Sequence, residues 1–213
     1  METSAMTAQT QDQSLPAKTL LIACGALARE TLEVLSQPGL EGITLTCLPA
    51  IWHNRPEKIP GGVLAKIHAA RAQGIERIFV LYGDCGTGGE LDRILAEEGV
   101  ERIEGPHCYS FFAGGEAFER LAEQEVGTFY LTDYLVRHFD RLMWQGLGLD
   151  RHPDLLPIYF GNYRRLVYLA QIDDPALDAK AEEAAQRLGL DYERVSTGMG
   201  ELADFVKAAA RKD

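Results

Sequence analysis

Arg77-Ile-Phe-Val-Leu-Tyr82, then Gly83-Asp-Cys-Gly-Thr-Gly-Gly89, then a helical stretch over about 90–98: this run decides the fold. The unbroken apolar segment reads as a buried strand, and the polar, glycine-rich segment after it as the turn into a helix. The same grammar surrounds it. Upstream, Thr19-Leu-Leu-Ile-Ala23 passes through Cys24-Gly25 into a helix over 26–36, with Leu27, Thr31, Leu32 and Leu35 at helical spacing. A strand over 43–48 leads through a long loop, 49–62, to a helix over 63–73 that Gly74 stops. Downstream come a short strand near 100–103, the turn Gly105-Pro-His-Cys-Tyr109, a helix, a strand over 126–131 and an amphipathic helix from Thr132-Asp133 to about Trp144. Strands over 165–171 and 192–196, a helix opened by Asp173-Asp174-Pro175 and a closing helix over 201–210 complete the pattern.

Strands alternating with helices imply βαβ units: an α/β protein with a mostly parallel, Rossmann-like sheet, helices on both faces and two similar α/β halves. The expected organisation is a disordered tail at 1–16, a first half over 17–145 that carries the site, and a smaller second half over 146–213 completing the same domain. The 213 residues, 46% of them hydrophobic, bury a core without disulfides or metal, so a metal here is read as functional and not as a folding staple. A formal net charge of −11 with no Lys/Arg cluster repels phosphate backbones and anionic headgroups, which argues against nucleic acid or a membrane surface as partner. No apolar run approaches the roughly 18 residues that span a bilayer. The first 16 residues lack the basic and apolar regions of a signal peptide, so the expected compartment is the cytoplasm. Cys24, Cys47, Cys85 and Cys108 are then reduced thiols, and no two of them form a C-x-x-C pair.

Open parallel sheets bind ligands outside the carboxyl ends of their strands. Cys24 follows the first strand, Cys85 the third, and His107 and Cys108 the fourth, while His53 lies in the loop Trp52-His-Asn-Arg-Pro-Glu57 after the second. Four βα connections thus bring thiol or imidazole to one rim. Cys24, His53, Cys85 and Cys108 form a donor set that suits tetrahedral Zn²⁺, with iron as the sulfur-favouring alternative. Adjacent residues do not easily ligate one ion, so His107 becomes an acid/base or supporting group beside Cys108, and Asp84 a carboxylate of the same kind. Gly25, Gly83, Gly86 and Thr87 would let the backbone approach a bound ligand closely. The run Gly86-Thr-Gly-Gly89 also permits a phosphate cradle, although it lacks the lysine of a P-loop. Cys47, inside a strand pattern, is read as a small hydrophobe. His68, His138 and His152 are read as structural or solvated, Asp133 as either a rim carboxylate or a helix cap, and Asn162, Tyr163 and Arg164 as an opposite wall.

Together, Cys24-Gly25, His53-Asn-Arg-Pro-Glu-Lys58, Tyr82-Gly-Asp-Cys-Gly86, Gly105-Pro-His-Cys-Tyr109 and Gly127-Thr-Phe-Tyr-Leu-Thr132 resemble the family called domain of unknown function 1638, over about residues 19–200. Members of that family occur in bacteria and methanogenic archaea, often alongside corrinoid proteins and trimethylamine-type methyltransferases. The resemblance implies one-carbon metabolism: a metal-binding, methyltransferase-type protein whose partner is a small-molecule methyl donor or a corrinoid protein. Two other readings stand beside it. One is a non-catalytic metal- or corrinoid-handling partner of a methyltransferase, and the other an enzyme binding a phosphorylated small molecule at Gly86–Gly89. A homo-oligomer is compatible with all three.

Overall fold

The structure, a computed structural model, describes residues 19–211; the expected tail at 1–16 lies outside the described residues. Four strands, β1 (Thr19–Cys24), β2 (Ile43–Leu48), β3 (Arg77–Leu81) and β4 (Glu101–Arg102), form a parallel sheet in the order β2-β1-β3-β4. Three more, β5 (Thr128–Thr132), β6 (Arg165–Ala170) and β7 (Asp191–Ser196), form a second parallel sheet in the order β5-β6-β7. The α/β class, the parallel pairing and the two similar halves are therefore as the sequence indicates.

Alternation along β1 and β3 explains the layering. Leu20, Ile22, Ile78, Val80 and Tyr82 face one way, against Ile59, Val63 and Ile67 of helix α2 (Ile59–Arg71) and Leu91 and Leu95 of helix α3 (Glu90–Glu98). Leu21, Ala23, Phe79 and Leu81 face the other way, against Val34 of helix α1 (Ala28–Leu35) and Phe111 and Phe112 of helix α4 (Cys108–Ala113). Each such fully buried side chain contributes about 1.5–3 kcal/mol. In the second sheet Leu131, Leu166 and Tyr168 pack on helix α8 (Pro175–Leu188), whose Asp174 cap accepts from the Ala176 N–H at 2.9 Å.

Two differences from the sequence reading have physical causes. The strand Thr128–Thr132, grouped there with the first half, pairs with β6, because the chain changes sheet after α4 and helix α5 (Gly115–Gln124). The amphipathic helix expected up to Trp144 is broken. Helix α6 (Asp133–Arg137) stops, and a wide turn over Asp140–Trp144 lets Phe139 pack into the second core while Arg187 lies over the Trp144 ring at 4.2 Å. A five-residue helix α7 (Leu156–Phe160) precedes β6. No helix among the described residues is long and apolar enough to cross a membrane.

The last helix, α9 (Gly200–Arg211), does not stay with the second sheet. Its Leu202, Val206 and Ala209 enter the core of the first, and Arg77 Nη2 donates to the Ala209 carbonyl at 2.8 Å. Gly200 makes the crossing possible, with φ at +47°. A Cβ there would stand 2.3 Å from the Phe112 carbonyl oxygen and 2.5 Å from that of Phe111. Both obstacles are backbone, so they cannot rotate away. Gly200→Ala is expected to lower the unfolding free energy in a urea melt by about 3 kcal/mol. A loss below about 1 kcal/mol, within the scatter of ordinary substitutions, would mean that α9 is not seated this tightly.

Candidate functional site

The carboxyl ends of the two sheets face a common cleft of about 280 Å³. The first half supplies Cys24, His53, Tyr82, Gly83, Cys85 and Cys108 to its walls. The second half supplies Phe129, Thr132, Tyr134 and Leu135, with Leu142 and Met143 from the wide turn. All four residues expected to bind a metal thus line one cleft. Asn162, Tyr163 and Arg164 are not among its walls; Tyr163 packs edge-on against Phe129 with centroids 5.8 Å apart.

Cys24 ends β1 and caps the short turn Gly25–Leu27, its Sγ accepting from the Ala26 N–H at 3.5 Å. Cys85 sits in the loop after β3 with φ at +49°, the one residue other than glycine with positive φ among the described residues. The left-handed region costs a side-chain-bearing residue about 1–2 kcal/mol, and Gly86 beside it already has φ at +82°. A thiol kept where glycine would be unstrained points to a role for the sulfur. Cys108 opens α4, half-buried in the wall of the cleft. All four cysteines are free thiols. Burial pushes the Cys24 thiol up, that of Cys85 up to about 11 and that of Cys108 well up, with neighbouring thiols adding to the shifts of Cys85 and Cys108. At neutral pH, with no cation beside them, these groups hold their protons. Cys47 stays in strand β2 against the first core and does not line the cleft.

His53 is exposed on the turn Ala50–Asn54 at the cleft mouth. The protein around it, and secondarily His107, hold its imidazole below the usual value. His107 precedes α4, exposed, with its ring 6.3 Å from that of Tyr109. Of the remaining histidines, His68 pairs with Glu98 at 2.9 Å on the surface, and His138 lies against Tyr134 at 4.7 Å.

The glycines do something other than expected. A Cβ on Gly83 would come within 3.0 Å of the Gly105 carbonyl, the Pro106 carbon and the His107 nitrogen, and one on Gly25 would lie 3.1 Å from the Leu48 carbonyl. These positions bring neighbouring loops together and shape the rim; Gly83 also lines the cleft, whereas Gly25 does not. The loop after β3 is likewise self-contained. The Asp84 carboxylate accepts from the Gly86 N–H at 3.2 Å, the Thr87 hydroxyl at 2.9 Å and the Gly89 N–H at 2.9 Å. These bonds, that from Gly89 first, hold its carboxyl below the usual range. Two of the loop's N–H groups and its hydroxyl are thus engaged by Asp84, which pins the loop and argues against a phosphate cradle at Gly86–Gly89. None of Gly25, Asp84, Gly86, Thr87 and His107 is among the residues lining the cleft.

Asp133 is likewise committed. Its Oδ1 accepts from the Tyr168 hydroxyl at 2.7 Å and the Gln171 N–H at 3.0 Å, and Gln171 Oε1 accepts from the Asp133 N–H at 2.7 Å. Arg137 reaches from α6 to Asp133 Oδ2 at 3.3 Å and to Glu30 Oε1 of α1 at 3.5 Å, so it links the two halves behind the cleft.

Sequence reasoning missed Tyr82, Glu30 and Arg137. Tyr82 was legible only as the last residue of a strand, yet a phenol at a carboxyl end is a polar tip where ligands bind. Glu30, 3% exposed, has the same spacing as a solvent-facing helix residue and carries no signal in one sequence. Among the described residues, no three His, Cys, Asp or Glu side chains stand close enough together to hold an ion as they are. Cys24, Cys85, Cys108 and His53 have the chemistry of a thiophilic-ion site, but as they stand they do not form one.

The family model described as Protein of unknown function (DUF1638) matches residues 47–206, about three quarters of the chain; His53, Cys85 and Cys108 lie inside the match and Cys24 before it. No curated protein and no solved structure matches the chain.

Proposed function

We propose that this chain, which belongs to the DUF1638 family of proteins of unknown function, is a zinc-binding protein of corrinoid-linked methyl transfer. The observation that carries the reading is the convergence of three thiols, from three separate βα loops, on one interlobe cleft, with Cys85 held in a left-handed backbone. Cys24, Cys85 and Cys108 would hold the ion as thiolates, and His53 would close the set from the mouth. A zinc ion held there would keep these thiols ionised and could polarise a substrate group. The chain's own residues then have distinct tasks. Phe129, Leu142 and Met143 would exclude water on the far wall, while His107, expected from the sequence as an acid/base group, stands outside the cleft lining. The methyl-transfer setting comes from the family resemblance, with a corrinoid protein or small methyl donor as partner.

A second reading is favoured by the largely apolar walls and by the spacing of the thiols: a cleft for a small apolar organic ligand, with the cysteines as packing. One experiment separates them. The metal-free protein is titrated with Zn²⁺ while proton release and metal content are followed. Because the thiols hold their protons beforehand, one tightly bound zinc should displace about three protons at neutral pH. Failure to retain zinc after dialysis, or binding without proton release, overturns the metal reading and leaves the apolar one. Turnover of methylcobalamin by the zinc-loaded protein would mark an enzyme, and binding without conversion a handling partner.

A further inference from the structure

We propose that the two halves turn about a pair of glycines, Gly114 and Gly198, and that this motion opens and closes the cleft. Among the described residues the chain passes between the halves twice, and each passage can be located to a residue. In the first, Phe111 and Phe112 of α4 lie in the core of the first sheet, and the Gly114 N–H still donates to the Ser110 carbonyl at 2.8 Å. Helix α5, which follows, belongs to the second half. Its Phe118 packs on Tyr130 of β5 with centroids 5.0 Å apart, and its Leu121 carbonyl accepts from Arg165 Nη2 of β6 at 2.8 Å. In the second passage, the Thr197 and Gly198 N–H groups donate to the Ala170 carbonyl of β6 at 2.9 and 3.3 Å, whereas Met199 packs against the core of the first sheet.

Each change of half thus falls on a glycine with positive φ, +81° at Gly114 and +61° at Gly198. The space around them is open. A Cβ on Gly198 would meet nothing within 4 Å, and one on Gly114 only Glu201 Oε1 at 3.6 Å, so rotation there meets no packed neighbour. Gly200 is the opposite case: the Phe111 and Phe112 carbonyls hem it in and fix α9 to α4. A rigid body on one side and a few free backbone torsions beside it make a hinge. Glu201 Oε1 of α9 accepts from the Gly115 N–H at 2.9 Å, so the two passages lie side by side and share one axis. The axis stands clear of the cleft, since none of residues 113–116 and 197–201 lines it, while both halves supply its walls. The contacts between the halves include ones that tolerate sliding. Tyr109 of α4 lies against Phe118 and Tyr130 with centroids 6.2 and 5.7 Å apart, and Arg137 reaches Glu30 over 3.5 Å. Turning about the axis encloses whatever occupies the cleft, zinc or an apolar molecule, and the inference depends on neither.

The test reads the motion itself, in the full chain without ligand. Spin labels on unnatural amino acids replace Arg55 and Arg141, which are exposed, lie on opposite halves and adjoin the cleft residues Asn54 and Leu142. Double electron–electron resonance should give two separations, or one distribution broader than the labels' own freedom explains. Gly198→Asn keeps a left-handed backbone that asparagine tolerates, and Gly115→Ala adds a Cβ whose nearest neighbour is Glu201 Oε1 at 4.0 Å. The double variant should melt near the parent and show one narrow separation, because both changes restrict the hinge backbone. Glu201→Ala, at an exposed position, cuts the tie between the passages and should broaden the parent distribution; it decides the matter where the double variant fails to fold. A single narrow separation in the parent would show that the halves do not move. A broad distribution unchanged in the folded double variant, or unchanged in Glu201→Ala, would take the hinge away from these glycines.

Discussion

Cys85→Gly should lose zinc and yet be the more stable of two truncations at this position. Cys85 has φ at +49°. Alanine there keeps the left-handed strain and loses the sulfur's packing, while glycine loses the same packing and relieves the strain. Elsewhere glycine is the worse residue by about 0.5–1 kcal/mol; here the order should invert, with Cys85→Gly above Cys85→Ala by about 1 kcal/mol in denaturant melts. Both should weaken zinc binding by more than about 100-fold, since losing a groups-behind-the-ligand contact alone costs about 10–100-fold. Two results would sink the argument. An alanine variant as stable as the glycine one would show that the backbone is not strained. Zinc retained at parental affinity by either would remove Cys85 from the proposed ligand set.

The legible part of this fold was the part that periodicity encodes. Buried strands such as Leu20–Ala23 and Ile78–Tyr82 are contiguous apolar runs, and each is followed by a glycine-containing turn, so strand, turn and helix follow from local chemistry. Sheet membership is not local. Thr128–Thr132 carries nothing that says whether it pairs with β4 or β6; the choice is made by α4 and α5 lying between, where Tyr109 and Phe118 pack on Tyr130 with centroids 5.7 and 5.0 Å away. The return of α9 was hidden for the same reason. Its apolar face fits either half, and only Gly200 against the Phe111 and Phe112 carbonyls reveals where it goes.

For the site, topology did what spacing could not. Cys24, His53, Cys85 and Cys108 are far apart in sequence and share no motif, but the rule that parallel strands present their carboxyl ends to one rim placed all four on the cleft. Reading Asp84, Gly86 and Thr87 as ligand-binding overlooked a cheaper use of the same residues. An aspartate followed by Gly-Thr-Gly-Gly satisfies itself, and its three bonds leave little for a guest. Conversely, Tyr82 passed as a strand residue because apolar and aromatic side chains look alike in a periodicity count, although only one of them carries an O–H.

Arg137→Met should cost about 3 kcal/mol at pH 7.5, and clearly less at pH 5. Arg137 faces Glu30 at 3.5 Å and Asp133 at 3.3 Å, with both carboxylates nearly inaccessible to water. Removing one partner of a buried charge group strands the others, at about 3–5 kcal/mol; the long contacts and the partly exposed arginine favour the lower figure. The pH dependence comes from Glu30. Burial holds its carboxyl above the usual value, against the opposing pull of its own backbone N–H and of Arg137, while Asp133 adds repulsion and Arg29 a weaker attraction. On the Cys108 side, the same carboxylate raises the thiol. A carboxyl that binds its proton more tightly in the folded state than in the unfolded one gives stability that is full below the unfolded value of 4.5 and is lost as pH rises through the folded value. Without Arg137 the folded value rises further, so more is lost by pH 7.5 and less towards pH 5, where a larger share of Glu30 carries its proton. The double variant Glu30→Gln, Arg137→Met should recover most of the loss at pH 7.5, because Asp133 keeps its bonds from Tyr168 and Gln171. Urea melts of the three proteins at the two pH values measure this. An equal loss at both, or no recovery in the double variant, would show that Glu30 and Arg137 do not form the joint between the halves.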